Sequence, residues 1–224
     1  MITVLAILLA MTAVSGIVDA VCFIALGHVF TVNMTGNVVF LGFAIGGVSG
    51  LSIWRSLLAL VFFMSGALLG GRMTKAMNPQ DPGPTPVHAL VIETVLLLAA
   101  SVVSIGFRAP YDDHKLKIVL VVALTAIAMG LRNAVVRKLG VPDLTTTVLT
   151  LTIAGFAADS SLAGGNNPRW GRRAAAVLAM LTGAIAGTSM LAYSVAVPLF
   201  VCGVMTALCA LARRHLSRKE LGNG

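Results

Sequence analysis

The chain has 224 residues, 58% of them hydrophobic and only 11% charged, with a mean hydropathy of +0.95, whereas an average soluble domain is about one-quarter charged. Apolar runs of about 20 residues do not fit together in one small soluble core but enter a bilayer directly as spanning helices, which excludes a soluble globular domain. The net charge of +8 comes from 16 Lys and Arg spread over loop ends and a short tail, a pattern that topology explains and a nucleic-acid-binding face does not.

Eight membrane segments are predicted, at about 2–26, 30–49, 54–75, 87–107, 116–138, 142–160, 171–193 and 195–213. The first lacks the positive amino-terminal region of a secretory signal and is too long for its apolar core, so it is read as a mature helix. Its one ionisable residue is Asp19, about seven residues from the segment's end and therefore roughly 10 Å in from that surface. A carboxylate at such depth costs about 2.5–3.5 kcal/mol on insertion scales and needs a partner or a wet cavity. Helical spacing puts Thr12, Ser15, Gly16 and Asp19 on one polar stripe. Three roles are open to the acid: a structural cap on a neighbouring broken helix, a proton or cation site, or snorkelling to the edge, which so short a side chain does poorly.

His28 reads as an exposed loop residue. The second segment opens with Phe30-Thr31-Val32-Asn33-Met34-Thr35-Gly36-Asn37, a polar, turn-forming head on an otherwise apolar stretch. Asn33, Thr35, Gly36 and Asn37 can free and re-satisfy backbone groups. A helix that starts inside the membrane aims its N–H groups, and about half a positive charge, at whatever lies there. That partner is either Asp19, a purely structural use, or the anionic part of a substrate, as in the discontinuous helices of secondary transporters.

The third and seventh segments carry Gly-x-x-x-Gly, at Gly66/Gly70 and Gly183/Gly187, where bare backbone lets helices approach closely; contact between the two halves is the simplest use, and a homodimer face is compatible. Trp54 and Trp170 precede these segments as interfacial anchors. Met77 to Pro86 is a proline-rich loop. Glu93 lies a turn or two inside the fourth segment, which favours a place at its edge over a proton relay. In the fifth, Arg132 either snorkels to the interface with Arg137 and Lys138 or pairs with Asp19, and Asn133 stands beside it. Thr145, Thr146, Thr147, Thr150 and Thr152 line the sixth segment, where hydroxyls bond back to their own helix or present a polar surface. Cys22, Cys202 and Cys209 sit in apolar runs and read as small buried hydrophobes.

The chain resembles itself. Arg55 to Met73 aligns with Arg172 to Met190 at an offset of 117, equating Ala59 with Ala176, Gly66 with Gly183 and Gly70 with Gly187; Gly16-Ile-Val-Asp19-Ala20 answers Gly130-Leu-Arg-Asn133-Ala134. The expectation is a single all-α membrane domain, 1–224, built of two homologous halves, 1–107 and 116–213. With all eight segments crossing and the amino terminus cytoplasmic, 11 Lys and Arg fall inside against 4 outside. If segments two and six are instead discontinuous or re-entrant, other loops exchange sides and the balance is again 11 to 4. Crossing makes the repeats parallel and re-entry makes them inverted; the length of Val38 to Leu51 favours crossing.

Gly16-Ile-Val-Asp19-Ala20, Leu26-Gly-His-Val-Phe30-Thr31, Met34-Thr35-Gly36-Asn37 and Gly66-Ala-Leu-Leu-Gly70 together resemble the YoaK family of bacterial membrane proteins, over nearly the whole chain. The resemblance implies a small multi-pass protein of the bacterial inner membrane. In the second half, Thr150-Leu151 stands where that family would have a Thr-Gly pair.

No nucleophile elbow, His-x-x-x-His pair, phosphate-binding glycine loop or CxxC is present. The expectation is therefore not an enzyme, with no metal, no cofactor and no nucleic-acid partner. It is a secondary transporter or permease for a small polar or anionic solute, with both termini cytoplasmic. Asp19, Asn33, Thr35, Gly36, Asn37, Arg132, Asn133, Thr147 and Thr150 are expected to meet near its centre. The alternative is a non-transporting structural or regulatory membrane protein.

Overall fold

A computed structural model describes residues 2–78, 82–107, 115–140 and 149–222. Within them the protein is all-α: α1 Ile2–Ala25, α2 Met34–Ile45, α3 Ile53–Met73, α4 Thr85–Val103, α5 Lys115–Leu139, α6 Leu149–Ala158, α7 Trp170–Met190 and α8 Ala196–Gly222. Among the described residues six of these, α1, α3, α4, α5, α7 and α8, are long and apolar enough to cross a membrane. The other two, α2 with 12 residues and α6 with 10, span only about 18 and 15 Å at 1.5 Å per residue, against a hydrocarbon core of about 30 Å.

Close contacts between helices, many of them glycine against backbone, fix the direction of every long helix. Gly183 sits against Ala13 and Gly187 against Ile17, so α7 runs parallel to α1. Gly66 sits against Ile127 and Gly70 against Leu131, so α3 runs parallel to α5. Cys22 meets Thr125 while Arg132 reaches Met11, so α5 runs against α1. Ser101 bonds Ala196 and Gly203 abuts Leu98, so α8 runs against α4. Calling the end where α1 begins the near end and the opposite one the far end, the order α1, α3, α4, α5, α7, α8 crosses six times, and α5, α7 and α8 run opposite to α1, α3 and α4 respectively.

This overturns the expectation that segment two crosses. The Arg55 side chain, at the start of α3, packs on Gly27, just past the end of α1. Both helices therefore meet the far end, and the chain between them enters and leaves there. The reason is local: α2 stops at Ile45, followed by Gly46 as its C-cap and by Gly47 and Gly50 at φ +89° and +84°, left-handed backbone that favours glycine and ends a helix. In the same way α5 ends and α7 begins at the near end, with α6 between them. The first part of the sixth segment, including Thr145, Thr146 and Thr147, lies outside the described residues.

Packing between long helices relies on backbone contact. Gly66 and Gly70 of α3 lie on α5, and Gly183 and Gly187 of α7 lie on α1; Gly130 and Gly16 answer from the other side, against Phe63 and Met180. The buried core runs through α1, α4, α5 and α8, with Val14, Val18, Leu97, Met129 and Leu199 fully enclosed. Trp54 and Trp170 stand exposed at the starts of α3 and α7.

Candidate functional site

Two buried polar centres lie along α1, one toward each end of the bundle, and the stripe predicted on that helix supplies a residue to both: Asp19 to the first and Ser15 to the second. The first is Asp19, 4% exposed. Its Oδ1 accepts the backbone N–H groups of Thr31 and Val32 at 3.1 and 2.9 Å, and its Oδ2 accepts from the Asn33 amide at 2.5 Å. A carboxylate bonded by several N–H groups satisfies donors that the bilayer cannot. Asn33 occupies the N-cap of α2 yet makes no cap bond of its own, because its side chain is turned to Asp19. Asn37 closes the loop from the other side: its Oδ1 accepts from Phe30 N at 2.9 Å and its Nδ2 donates to Phe30 O. Phe23, Phe30 and Phe40 stack around this turn with centroids 5.2 to 6.0 Å apart. Gly36 leaves the space the Phe30 ring fills, since a Cβ there would lie 2.6 Å from it.

The Phe30 to Asn37 turn thus meets Asp19 about 9 Å below the end of α1, as six residues separate Asp19 from Ala25. Beside it lies a cleft of ≈ 290 Å³ bordered by Asp19, Phe23, Phe30, Asn33, Met180 and Thr188, toward the far end.

The second centre is a pair that sequence reasoning missed. Arg132, 3% exposed, neither snorkels nor meets Asp19; it pairs with Glu93, 1% exposed, through Nε at 2.9 Å and through Nη2. Glu93 is therefore interior and not at the edge. Arg132 Nη1 also donates to Met11 O and Ser15 Oγ, each at 2.8 Å. The pair lines a cavity of ≈ 70 Å³ bounded by Val4, Leu8, Leu90, Val135, Leu139 and Arg213, toward the near end. Depth would have found it. Glu93 stands eight residues into α4 and Arg132 seven from the end of α5, about 12 and 10.5 Å from the same end, whereas Asp19 is near the other.

Of the other expected residues, Asn133 bonds back to Met129 O at 2.9 Å. Thr35 and Thr150 are exposed on the bundle's outside, and Thr147 is outside the described residues. Asp19, Asn33, Gly36 and Asn37 come together; Arg132, Asn133 and Thr150 do not join them. The hydroxyls fail to converge because short helices present only one face inward. In the second half, Arg173 holds the end of α6 instead, donating to Gly155 O at 2.5 Å and to Asp159 Oδ2 at 2.7 Å. Among the described residues no cluster of His, Cys, Asp and Glu could hold a metal.

Six apolar crossings, two helices too short to cross, and charged groups bonded in the interior define a multi-pass helical membrane protein. The family described as "Protein of unknown function (DUF1275)" matches residues 7–212, and the chain belongs to it. The chain is 38% identical over 155 residues to the UPF0700 transmembrane protein YoaK of Bacillus subtilis (strain 168), an alignment covering 69% of this chain and 65% of that relative. No solved structure gives a significant match.

Proposed function

We propose that the protein is a small secondary transporter for a small polar or anionic solute, in the bacterial inner membrane with both ends of this chain cytoplasmic. One observation carries the proposal: two recesses, one beside Asp19 toward the far end and one beside Arg132 toward the near end, reach α1 at positions about one turn apart. The far cleft borders Asp19 and reaches Gly16, and the near cavity reaches the guanidinium bonded to Ser15; Asp19 and Ser15 are four residues apart, about 6 Å of rise. A thin barrier between two recesses is what alternating access needs.

The repeated sequence supports the same reading, for two homologous halves of opposite direction are a recurring transporter architecture. Lys and Arg support the orientation: Arg72, Lys75, Arg137, Lys138, Arg172 and Arg213 belong to the near end, which the positive-inside rule makes cytoplasmic. Such a carrier does no covalent chemistry and uses no cofactor; a homodimer through its exposed faces is compatible with it.

Uptake and efflux in proteoliposomes test the proposal, with Asp19→Asn expected to change rate or coupling for the transported solute. Wild type and Asp19→Asn behaving alike for every solute assayed would defeat it. One feature favours the rival, a non-transporting scaffold: both Asp19 oxygens are already bonded within the chain. On that reading Asp19→Asn lowers stability and nothing else.

A further inference from the structure

The Glu93–Arg132 pair is lopsided. Both of its hydrogen bonds end on one carboxylate oxygen, Glu93 Oε1, while the two Nη1 hydrogens go to Met11 and Ser15. Four of the five guanidinium hydrogens are thereby engaged. Glu93 Oε2 receives no donor among the described residues, although Glu93 is 1% exposed and borders the near cavity. A pair kept only for cohesion would be expected to use both oxygens in a fork, and apolar replacements of a buried pair often hold a bundle as well or better.

The cavity beside the pair is apolar except at its floor and its mouth. Leu8, Leu90, Val135 and Leu139 form walls, and Arg213 stands toward the near end. At about 10–15 Å³ of such volume per water, ≈ 70 Å³ holds roughly five waters, the bulk of a carboxylic acid of two to four carbons.

We propose that this cavity binds a short-chain monocarboxylate together with one proton. The proton arrives from the near end and bonds to Glu93 Oε2, and the neutral acid gives up its hold on the guanidinium. The solute carboxylate then accepts the bonds from Arg132 Nε and Nη2, and its hydrocarbon part lies on the leucine and valine walls. Charge balances throughout. Arg132 and Glu93 sum to zero before, and Arg132, neutral Glu93 and the anion sum to zero after, so no net charge is left buried at either stage. The groups facing Glu93 from its neighbours are Arg132 on α5 and Cys202 and Cys209 on α8, with Arg213 of α8 lining the same cavity; α1 contributes Met11 and Ser15 through Arg132. Arg213 draws the anion in.

The proposal deepens the transport reading by naming a substrate class, and rests on that reading only for what binding achieves across the membrane. Its test is calorimetric titration of the purified full chain in detergent with sodium propionate, with a pH indicator in weak buffer. Wild type is expected to bind saturably, taking up one proton per propionate, with affinity rising tenfold per pH unit of acidification while Glu93 is ionised. Glu93→Gln is expected to bind with no proton uptake and no pH dependence. Arg213→Gln weakens binding by about tenfold at an unchanged proton count. Val4→Trp, which plugs the mouth without touching the pair, abolishes binding.

Absent saturable binding by wild type, binding without proton uptake, proton uptake that survives Glu93→Gln, or undiminished binding by Val4→Trp each overturns the proposal. If Glu93→Gln does not fold, the wild-type proton count and Val4→Trp decide. Binding without transport in proteoliposomes removes the transporter and leaves the site; transport without propionate binding removes the site alone.

Discussion

Gly70 and Gly71 are adjacent in α3, and alanine should have opposite consequences at the two. A Cβ on Gly70 would lie 2.7 Å from Leu131 O and 2.8 Å from the Ala134 Cβ, whereas one on Gly71 meets nothing within 4 Å. Relieving the first contact to an ordinary 3.4 Å needs 3.4 − 2.7 = 0.7 Å of separation between α3 and α5. A gap of 0.5–1 Å forfeits about a quarter to a half of each dispersion contact along the seam, and overpacking of this kind costs about 1–3 kcal/mol. Both substitutions gain about 0.5–1 kcal/mol of helix propensity, which cancels in the comparison. Gly70→Ala is therefore expected to be less stable than Gly71→Ala by about 1–3 kcal/mol, with Gly71→Ala slightly above wild type. Thermal unfolding of the detergent-purified variants, followed by loss of the monodisperse peak in size exclusion, measures the difference. Equal stability, or the reverse order, would refute the backbone-contact account of the α3–α5 seam.

Arg132→Met should cost about 3–5 kcal/mol by leaving Glu93 buried without its counter-charge, and adding Glu93→Leu should recover most of it; denaturant titration in mixed micelles compares the two. Asp19→Asn sets its amide against that of Asn33 and should cost about 1–3 kcal/mol. The exchange Asp19→Asn with Asn33→Asp should restore part of that loss in the same melt, and no recovery would show that Asn33 is not the partner. In a cysteine-free background, Ser49→Cys and Lys115→Cys should react with an impermeant maleimide from one side of the membrane and Lys75→Cys from the other. Ser49→Cys labelled together with Lys75→Cys would reinstate a crossing second segment.

Much of the fold was legible because length and apolarity decide what crosses a bilayer, and six segments announce themselves by those alone. That Asp19 needs donors was legible for the same reason, but the backbone donors are Thr31 and Val32, ahead of α2, and not the helix start to which the polar head pointed. The reach of α2 was misjudged by counting apolar residues in Val38 to Leu51 without counting the glycines, since Gly46, Gly47 and Gly50 end the helix that hydropathy alone would extend. Arg132 takes neither of the roles its sequence leaves open, snorkelling or pairing with Asp19, because an acid at its own depth, Glu93, stands on another segment. The choice between topologies was out of reach, for Lys and Arg balance equally in both, and the contact that decides, Arg55 on Gly27, joins residues from separate segments.

The opposed direction of the two sets of helices explains an asymmetry in their charges. In the first set the cations Arg72 and Lys75 stand at the end of α3, while in the second Arg169, Arg172 and Arg173 gather at the start of α7; swapped ends of matching helices reach the same surface. Together with Arg137, Lys138 and Arg213 at the same end, these side chains distinguish one way up from the other. Exchanging them for neutral residues should yield a mixed population inserted both ways, and a vesicle carrying it would present the propionate cavity to both compartments at once.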